Sequence, residues 1–382
     1  MDKYIPKIKI VNIVNNQLFC LCDDCNCILI IDLNNFRVRY AGKLESEYSF
    51  QLALSCRSIV YKNNIFYSPY YSRNIHFFDT SKRKDGIITC PYEIDLTKDK
   101  YYTLLQDGAR CYIIPFVGEK ILEIDMDKKR ATRTIDIYNI LKRKGIPVDK
   151  NNFSQSDGYR YKDKFYIAME NMPFIVELDL KNDNYEAFRI EGLDNGLCGL
   201  AGIDNKLYIY NKNHCIITYD IDKKKIIKEV KVLEKVPFFF YTTIVSNNDI
   251  YFLRGRYSIA VRYNVVTCEI ECINFNNRLR NAKSGEDYKF IGAIEEGRIL
   301  LIADRMSMLI VDFKNNRYEH VQLHYNTEEL KNSIIQNAYF QSENIEYSEL
   351  ALPCYIQYEK NDNANEKESN VGSKIYSVIQ RS

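Results

Sequence analysis

The chain has 382 residues, and its 53 basic and 51 acidic side chains leave a net charge of +2. A nucleic-acid-binding protein usually carries a basic excess or stripe, so this balance predicts no nucleic-acid partner. No apolar run approaches the ~18 residues that span a bilayer, and Lys3, Lys7 and Lys9 interrupt any signal-peptide core at the start. Twelve cysteines without an export signal indicate reduced thiols. We expect a cytoplasmic monomer that does not contact a membrane.

Short strands follow one another from the first residues onward. The first predicted unit reads KIKIVNIVN, NQLFCLCDD, CILIIDLNN and FRVRYAGKL, four alternating segments separated by Asn- and Asp-rich turns. The same order recurs at 49–96, 101–138, 153–190, 237–275 and 290–324. The fifth unit is the clearest, with LCGLAGID, NKLYIYNKN, HCIITYDID and KIIKEVKVL. Each unit therefore predicts a four-stranded antiparallel sheet.

An acidic or amide residue, here called the anchor, ends the third strand of every unit. The anchors recur at intervals of 41 to 54 residues, at Asp32, Asp79, Asp125, Asp179, Asp220, Asn264 and Asp312. An aromatic or aliphatic residue precedes each by 12 or 13 positions, at Phe19, Tyr67, Tyr112, Tyr166, Tyr208, Tyr251 and Leu300. Such a period predicts an all-β fold, a seven-bladed β-propeller of four-stranded antiparallel blades over residues 1–324. Asp or Asn can turn the chain through its own backbone, so we interpret the anchors as turn residues.

The repeat resembles the kelch-like and YVTN-type repeats of bacterial seven-bladed propellers. The stretches LYIYNKNHCIITYDIDKKKIIKEVKV and FYIAMENMPFIVELDLKNDNYEAFRI carry the resemblance best, and it extends over about 7–324. The chain has neither the double glycine of kelch repeats nor a Trp-Asp pair. The resemblance implies a fold and leaves the activity open, because such propellers include lyases, lactonases, sugar binders and scaffolds.

Two long connections and a C-terminal extension interrupt the regular pattern. The loops 139–152 and 276–289 are polar and basic, and long loops in compact folds are often functional. After the propeller we predict a partly helical segment, 325–358, packed on the propeller, and a polar tether, 359–373. The last residues, 374–382, form a short apolar segment that would dock on the propeller or on a partner.

Four cysteines lie close together in the first unit. In a hairpin turning at Asp23 and Asp24, Cys22 would face Cys25 and Cys20 would face Cys27, so the four thiols would share a face. Four thiolates make a complete zinc site, but C-x-C-x2-C-x-C is not the usual paired C-x2-C spacing. We therefore favour cysteine as a small buried residue and predict no metal and no cofactor, with metal binding and redox or disulfide chemistry as alternatives.

The loops between second and third strands meet at one mouth of a propeller. Seven Arg and Tyr side chains and one histidine on these loops make the candidate binding site: Tyr70, Tyr71, Arg73, His214, Arg254, Arg256, Tyr257 and Arg305. Arg and Tyr are enriched at binding surfaces, although solvated loops would also account for them. If this mouth binds, we expect a protein, an acidic peptide, or a small anionic or sugar-like ligand.

Two functions remain open, beside a third possibility, that the protein is a purely structural partner of a neighbouring enzyme. The first is a non-enzymatic binding or interaction module that uses the Arg and Tyr loops. The alternative is a propeller lyase or hydrolase at the same mouth, which needs a general base near the channel. The loop carboxylates available for that role are Glu119, Glu170 and Asp304. Because histidine is scarce and no catalytic motif is present, we predict no catalytic residue and favour the binding module.

Overall fold

The computed structural model describes the greater part of residues 8–333. The described ranges are 8–23, 25–47, 53–92, 94–151, 153–154, 156–193, 196–232, 242–253, 259–274, 288–295, 298–303, 307–312, 315, 317–326, 329–330 and 333. Within 288–303 and at Ser307 the description concerns the backbone. The predicted tether 359–373 and end segment 374–382 lie outside these residues, as does most of 325–358 and of the loop 276–289.

The strands form four-stranded antiparallel sheets in which each strand pairs with the next along the chain. Sheet 1 contains β1 to β4, at Ile8–Val14, Gln17–Cys22, Ile28–Asp32 and Val38–Gly42. Sheet 2 contains β5 to β8, at Ser55–Tyr61, Asn64–Pro69, His76–Asp79 and Lys84–Ile87. Sheet 3 contains β9 to β12, at Lys100–Asp107, Arg110–Val117, Lys120–Asp125 and Arg130–Asp136.

The remaining described strands repeat the arrangement. Sheet 4 contains β13 to β16, at Tyr159–Tyr161, Lys164–Ala168, Phe174–Asp179 and Asn184–Arg189. Sheet 5 contains β17 to β20, at Leu197–Ile203, Lys206–Asn211, Cys215–Asp220 and Lys225–Lys231. Sheet 6 contains β21 to β24, at Thr242–Ser246, Asp249–Leu253, Ile259–Asn264 and Ile270–Asn274. Sheet 7 contains β25 to β28, at Tyr288–Glu295, Arg298–Ala303, Ser307–Asp312 and Arg317–Gln322.

These sheets are the blades of a β-propeller, as the repeat predicted. The first strand of each sheet is the inner one, since β5 contacts both β1 and β9, and β17 contacts both β13 and β21. Sheets 1 and 7 also meet, because β1 contacts β25. Buried side chains fill the space between neighbouring sheets, as where Ile10 and Phe19 of sheet 1 share a core cluster with Tyr67 and Phe78 of sheet 2.

Sheets 1 and 7 also contact each other at their outer strands. A parallel bridge joins Arg37, before β4, to His324, after β28, and the backbone N–H of Val38 donates to the His324 carbonyl at 2.7 Å. Thr89, after β8, makes the same kind of bridge to Arg130 at the start of β12. The junction between the last and first sheets thus repeats a contact found between two consecutive sheets.

All seven anchors end the third strand of their sheets, which confirms their prediction as turn residues. Their side-chain oxygens accept hydrogen bonds from backbone N–H groups two or three residues on, for example from Lys128 to Asp125 at 2.9 Å and from Lys223 to Asp220 at 2.9 Å. The fourth residue after six of the anchors has a left-handed φ between 51° and 62°, at Phe36, Arg83, Lys129, Asp183, Lys224 and Cys268. Turn geometry therefore explains the strongest signal in the sequence.

The connection predicted as a loop at 139–152 begins with a helix instead. Helix α1 spans Ile137–Arg143, and the Asp136 carboxylate caps it by accepting from the Asn139 backbone N–H at 3.0 Å. Ile137 and Leu141 are buried in the core between sheets 3 and 4. The prediction missed it because two apolar contacts in seven residues give too short a helical pattern to recognise.

Two features lie outside the blades. After sheet 7, residues 329–330 and 333 are helical, and Leu330 is buried in the core cluster that contains the first sheet. Among the residues described, no helix has the length and apolar character needed to cross a membrane.

Candidate functional site

The candidate site is the end of the central channel at which the inner strands begin, here called the channel mouth. In a four-stranded meander this end also holds the loop between the second and third strands. Lys9, Arg57 and Tyr102 lie near the starts of β1, β5 and β9, while Tyr70 and Phe116 lie where β6 and β10 end. The topology therefore brings inner-strand and loop residues of three sheets to one mouth.

Arg57 reaches across the channel. Its guanidinium donates to the Asp157 carboxylate beside β13 at 3.1 Å and to the Thr242 hydroxyl on β21 at 2.6 Å. It also lies over the Tyr102 ring, 5.1 Å from the centroid. Asp157 in turn accepts from the Thr243 backbone N–H at 2.8 Å. Because sheets 2, 4 and 6 are not neighbours, this network can form only through the channel.

Four aromatic residues beside Arg57 form what we call the aromatic patch: Tyr70, Tyr71, Tyr102 and Phe116. The Tyr70 ring makes T-shaped contacts with Tyr71 and Tyr102, with centroids 4.8 Å and 6.5 Å away, and it stacks on Phe116 with a centroid distance of 6.4 Å. Tyr71 is the most accessible member, with 38% of its surface exposed. The Lys100 ammonium lies 4.9 Å from the Tyr71 ring centroid, so a cation flanks the patch.

The structure places the predicted site residues unevenly. Tyr70 and Tyr71 come together in the aromatic patch. Arg73 is held against the connection between sheets 1 and 2, where its guanidinium donates to the Ser46 carbonyl at 2.6 Å. His214, at φ 59°, has its Nδ1 3.0 Å from the Tyr210 hydroxyl on the same sheet. The other predicted residues lie outside the described ones: Arg254, Arg256, Tyr257 and Arg305.

A buried histidine clamp, centred on His76, adjoins the loop that carries Tyr70 and Tyr71, and no local sequence pattern predicted it. His76 Nε2 is 2.8 Å from the Glu47 carboxylate and Nδ1 is 2.9 Å from Asp85. Burial alone would lower the pKa of His76, but hydrogen bonds and charges from Asp85 and Glu47 raise it to about 9. The imidazolium therefore donates from both nitrogens at neutral pH. Glu47 also accepts from the backbone N–H groups of Arg73 and Asn74, which fixes the loop that carries Tyr70 and Tyr71.

Of the carboxylates considered for catalysis, Glu170 has the most unusual surroundings. Its Oε2 is buried and has no hydrogen-bond partner among the described residues. Burial raises the pKa of Glu170, while the charge of Lys212 lowers it. Glu119 is instead 40% exposed and 3.5 Å from the Lys150 ammonium, and Asp304 lies outside the described residues.

The cysteine-rich hairpin differs from its predicted register. Cys22 pairs with Cys27, its backbone N–H donating to the Cys27 carbonyl at 3.0 Å, and Cys20 pairs with Leu29. The predicted pairing of Cys22 with Cys25 was wrong because a longer loop, rather than a two-residue turn, joins β2 to β3. The sulfur atoms of Cys22, Cys25 and Cys27 all lie within 4.8 Å of one another, while Cys20 is not part of this group.

Comparisons with known proteins give the fold and no family. The sequence matches no protein-family model and no curated protein. The computationally designed Ika8 protein is similar in structure, with a TM-score of 0.57 and 9% identity over 85% of this chain and 89% of that one. So is the extracellular domain of a putative one-component system, BT4673, from B. thetaiotaomicron, with a TM-score of 0.56 and 10% identity. The match covers 84% of this chain and 44% of that one. At such identities the likeness concerns the fold alone.

Proposed function

We propose that the protein is a non-enzymatic binding module whose channel mouth takes an acidic carbohydrate. The propeller fold suggests a binding or interaction module. The observation that carries the ligand class is the aromatic patch beside the Arg57 guanidinium. Among the ligand classes considered from the sequence, an acidic sugar combines a flat apolar ring face with an anionic group.

The aromatic patch suits the apolar ring face of such a ligand, and the cations beside it suit the anionic group. Tyr71 presents an exposed ring at the rim, and Tyr70 and Tyr102 continue the aromatic surface towards Arg57. Rigid rings contribute contact area at a low cost in conformational entropy. The Lys100 ammonium provides a cation that a sugar carboxylate would engage, and Arg57, which is paired with Asp157, places a guanidinium at the inner end of the patch. The fixed loop beneath the patch, held by Glu47, would keep the rings in place before the ligand arrives.

Isothermal titration calorimetry with three probes tests the proposal. We expect a trimer of galacturonic acid to bind, and a neutral trimer of galactose to bind at least tenfold more weakly. Tyr71→Ala and Tyr102→Ala should each weaken uronate binding about tenfold, or ~1.4 kcal/mol. The matched control is Tyr92→Ala, because Tyr92 is also exposed, at 36%, but lies after β8, outside the patch.

A glutamate-rich peptide serves as the third probe. If it binds at the patch while the uronate trimer does not, the ligand class is wrong and an acidic peptide replaces it. If neither probe binds to the folded protein, the proposed function fails. Variants are compared only when their melting temperatures match that of the unmutated protein.

Glu170 supports a second candidate, a lyase or hydrolase acting at the same mouth. A buried carboxyl with a raised pKa is a candidate proton donor or acceptor. Time-resolved chromatography of the uronate trimer with the protein would reveal cleavage. Glu170→Gln should abolish it, and Glu119→Gln should not. An intact trimer after prolonged incubation would leave binding as the function.

We propose a seven-bladed ring of the kelch-like or YVTN type, supported by the seven four-stranded sheets and by the bridge between Arg37 and His324. We also propose a cytoplasmic monomer whose apolar end, 374–382, docks on the propeller or on a protein partner. Sedimentation velocity tests the monomer, and truncation after residue 358 followed by a melting curve tests docking on the propeller.

A further inference from the structure

Three thiols converge in the loop between β2 and β3, away from the aromatic patch. Cys22, Cys25 and Cys27 are 1%, 1% and 0% exposed, and each sulfur lies within 4.8 Å of the other two. A thiolate-bound zinc ion has bonds of about 2.3 Å, so two sulfurs of a tetrahedral site lie about 3.8 Å apart. Small side-chain rotations would therefore close the observed group around one ion.

The path of the loop indicates that these three cysteines do more than pack as small apolar residues in the core. Cys25 lies in the turn rather than in a strand, and turn side chains usually face solvent. Here it points inward, and its carbonyl accepts from the Cys27 backbone N–H at 2.9 Å. The loop thus bends so that a third thiol joins the two that face each other across the strand pair.

The residue between two of these cysteines fixes the loop. The Asn26 side chain donates to the Leu44 carbonyl at 2.7 Å and accepts from the Leu44 backbone N–H at 2.8 Å. Its Nδ2 also donates to the Glu47 carbonyl at 3.3 Å. Outside the thiols, the Asp23 carbonyl accepts from the Ala53 backbone N–H at 2.8 Å. Such preorganisation of the chain around ligands is what a metal site requires.

From this convergence we propose that Cys22, Cys25 and Cys27 bind one thiophilic d10 metal ion as thiolates. Soft thiolate ligands select zinc or monovalent copper. Bound Zn²⁺ would leave a net charge of −1 on the three thiolates, and Cu⁺ would leave −2. Since an uncompensated buried charge is costly, the apolar surroundings favour Zn²⁺.

The position of the site gives it a structural role. The three thiols belong to the core cluster that also contains Met308, Val321 and other residues of sheet 7 and the segment after it. The ion would thus stiffen sheet 1 at the junction where the propeller closes. Binding to the folded state alone would raise stability by mass action.

Native mass spectrometry of the full chain, purified under reducing conditions, tests the proposal. After loading with Zn²⁺ in one arm and Cu⁺ in the other, we expect one bound ion and release of three protons on binding. Cobalt loading should give the intense near-ultraviolet absorption of thiolate coordination. Cys22→Ser, Cys25→Ser and Cys27→Ser should each lower affinity at least a hundredfold. The control is Cys111→Ser, a thiol equally buried, at 1%, in sheet 3.

If the serine variants fail to fold, alkylation of the unmutated chain tests the site without them. Zn²⁺ should protect the peptide carrying Cys22, Cys25 and Cys27 from alkylation, with no change at Cys111. If the protein retains neither ion, or if Zn²⁺ protects Cys111 as much as it protects the peptide with the three cysteines, the proposed site does not exist. If the protein retains Cu⁺ but not Zn²⁺, the thiolate site exists and its ion is Cu⁺ rather than Zn²⁺.

Discussion

The Arg57 guanidinium lies 3.1 Å from the Asp157 carboxylate, although the two residues belong to sheets that are not neighbours. Both side chains are mostly shielded, with 23% and 32% of their surfaces exposed. The pair therefore works in a setting less polar than bulk water, where an ion pair is stronger. It joins opposite sides of the channel just where the proposed ligand would enter.

Breaking this pair should destabilise the propeller. Arg57→Met and Asp157→Asn should each lower the free energy of unfolding by about 1–3 kcal/mol, because each leaves a partly buried charge without its partner. A double-mutant cycle in urea denaturation should give a coupling energy of about 1 kcal/mol. The exposed pair of Lys162 and Asp222, 3.2 Å apart with exposures of 66% and 47%, is the control. Equal coupling in both pairs would contradict the cross-channel role.

The buried His76 clamp predicts that stability falls in mildly alkaline solution. A folded-state pKa of about 9, against an ordinary value near 6.5, means that the folded protein holds a proton that the unfolded chain releases. The stabilisation is complete below about pH 6.5 and is lost as the pH rises through 9. Its size is on the order of 3 kcal/mol. Burial also raises the pKa of Asp85, against the lowering effect of His76, so its contribution to stability likewise falls as the pH rises, but starting from the ordinary carboxyl pKa near 3.9.

Urea denaturation at several pH values between 6 and 10 measures the effect. His76→Gln keeps a donor towards only one of the two carboxylates and has no titrating charge, so its stability should be lower at pH 6 and much less dependent on pH. Tyr67 is a neighbouring titratable group, and burial and the charge of Asp85 raise its pKa beyond this range. An unchanged slope in the variant would show that other groups cause the pH dependence.

Local sequence patterns were enough to predict the blades. Alternation defined the strands, and each anchor oxygen bonds a backbone N–H only two or three residues away, so its effect is visible within a short window. The sequence did not predict helix α1, because Ile137 and Leu141 are too few apolar positions to indicate a helix. The predicted register of the first hairpin was wrong because the spacing of the four cysteines fits two alternative loop lengths and does not distinguish them.

The site depends on contacts that no local pattern reveals. Tyr70 and Tyr71 could be assigned to the mouth because their loop follows directly from the strand order. Arg57 looked like one strand residue among many, since its partners Asp157 and Thr242 lie 100 and 185 positions later in the chain. His76 was placed in a strand, yet its function depends on a connection 29 residues earlier. Fold follows from short-range periodicity, whereas these sites follow from contacts between residues that lie far apart in the sequence.

The anchor at Asp125 offers a test of the turn mechanism. Asp125→Ala should lower the free energy of unfolding by about 1 kcal/mol, because the Lys128 backbone N–H loses its acceptor. Asp125→Asn should retain most of the stability, as Asn264 serves the same role in sheet 6. The control is Asp127→Ala, because Asp127 is 48% exposed and pairs with the exposed Lys62. Its loss should change stability by no more than about 0.5 kcal/mol. A similar loss at both positions would contradict the turn mechanism.

Cys268 should be a fast-reacting thiol. The Lys228 ammonium lies 2.5 Å from its sulfur and lowers the pKa of Cys268, with a further contribution from Tyr263. Burial instead raises the pKa of Cys111 and of Cys198 to about 12. Since the thiolate is the nucleophile, iodoacetamide at neutral pH should label Cys268 before these two.

Peptide mass spectrometry over a time course measures the three labelling rates. Lys228→Met should slow alkylation of Cys268 several-fold at neutral pH and shift its rate profile to higher pH, while Lys225→Met, on the same strand, should not. The profile distinguishes charge from access, because better access would change the rate equally at every pH. Equal profiles in the parent chain and in Lys228→Met would show that the lysine does not activate this thiol.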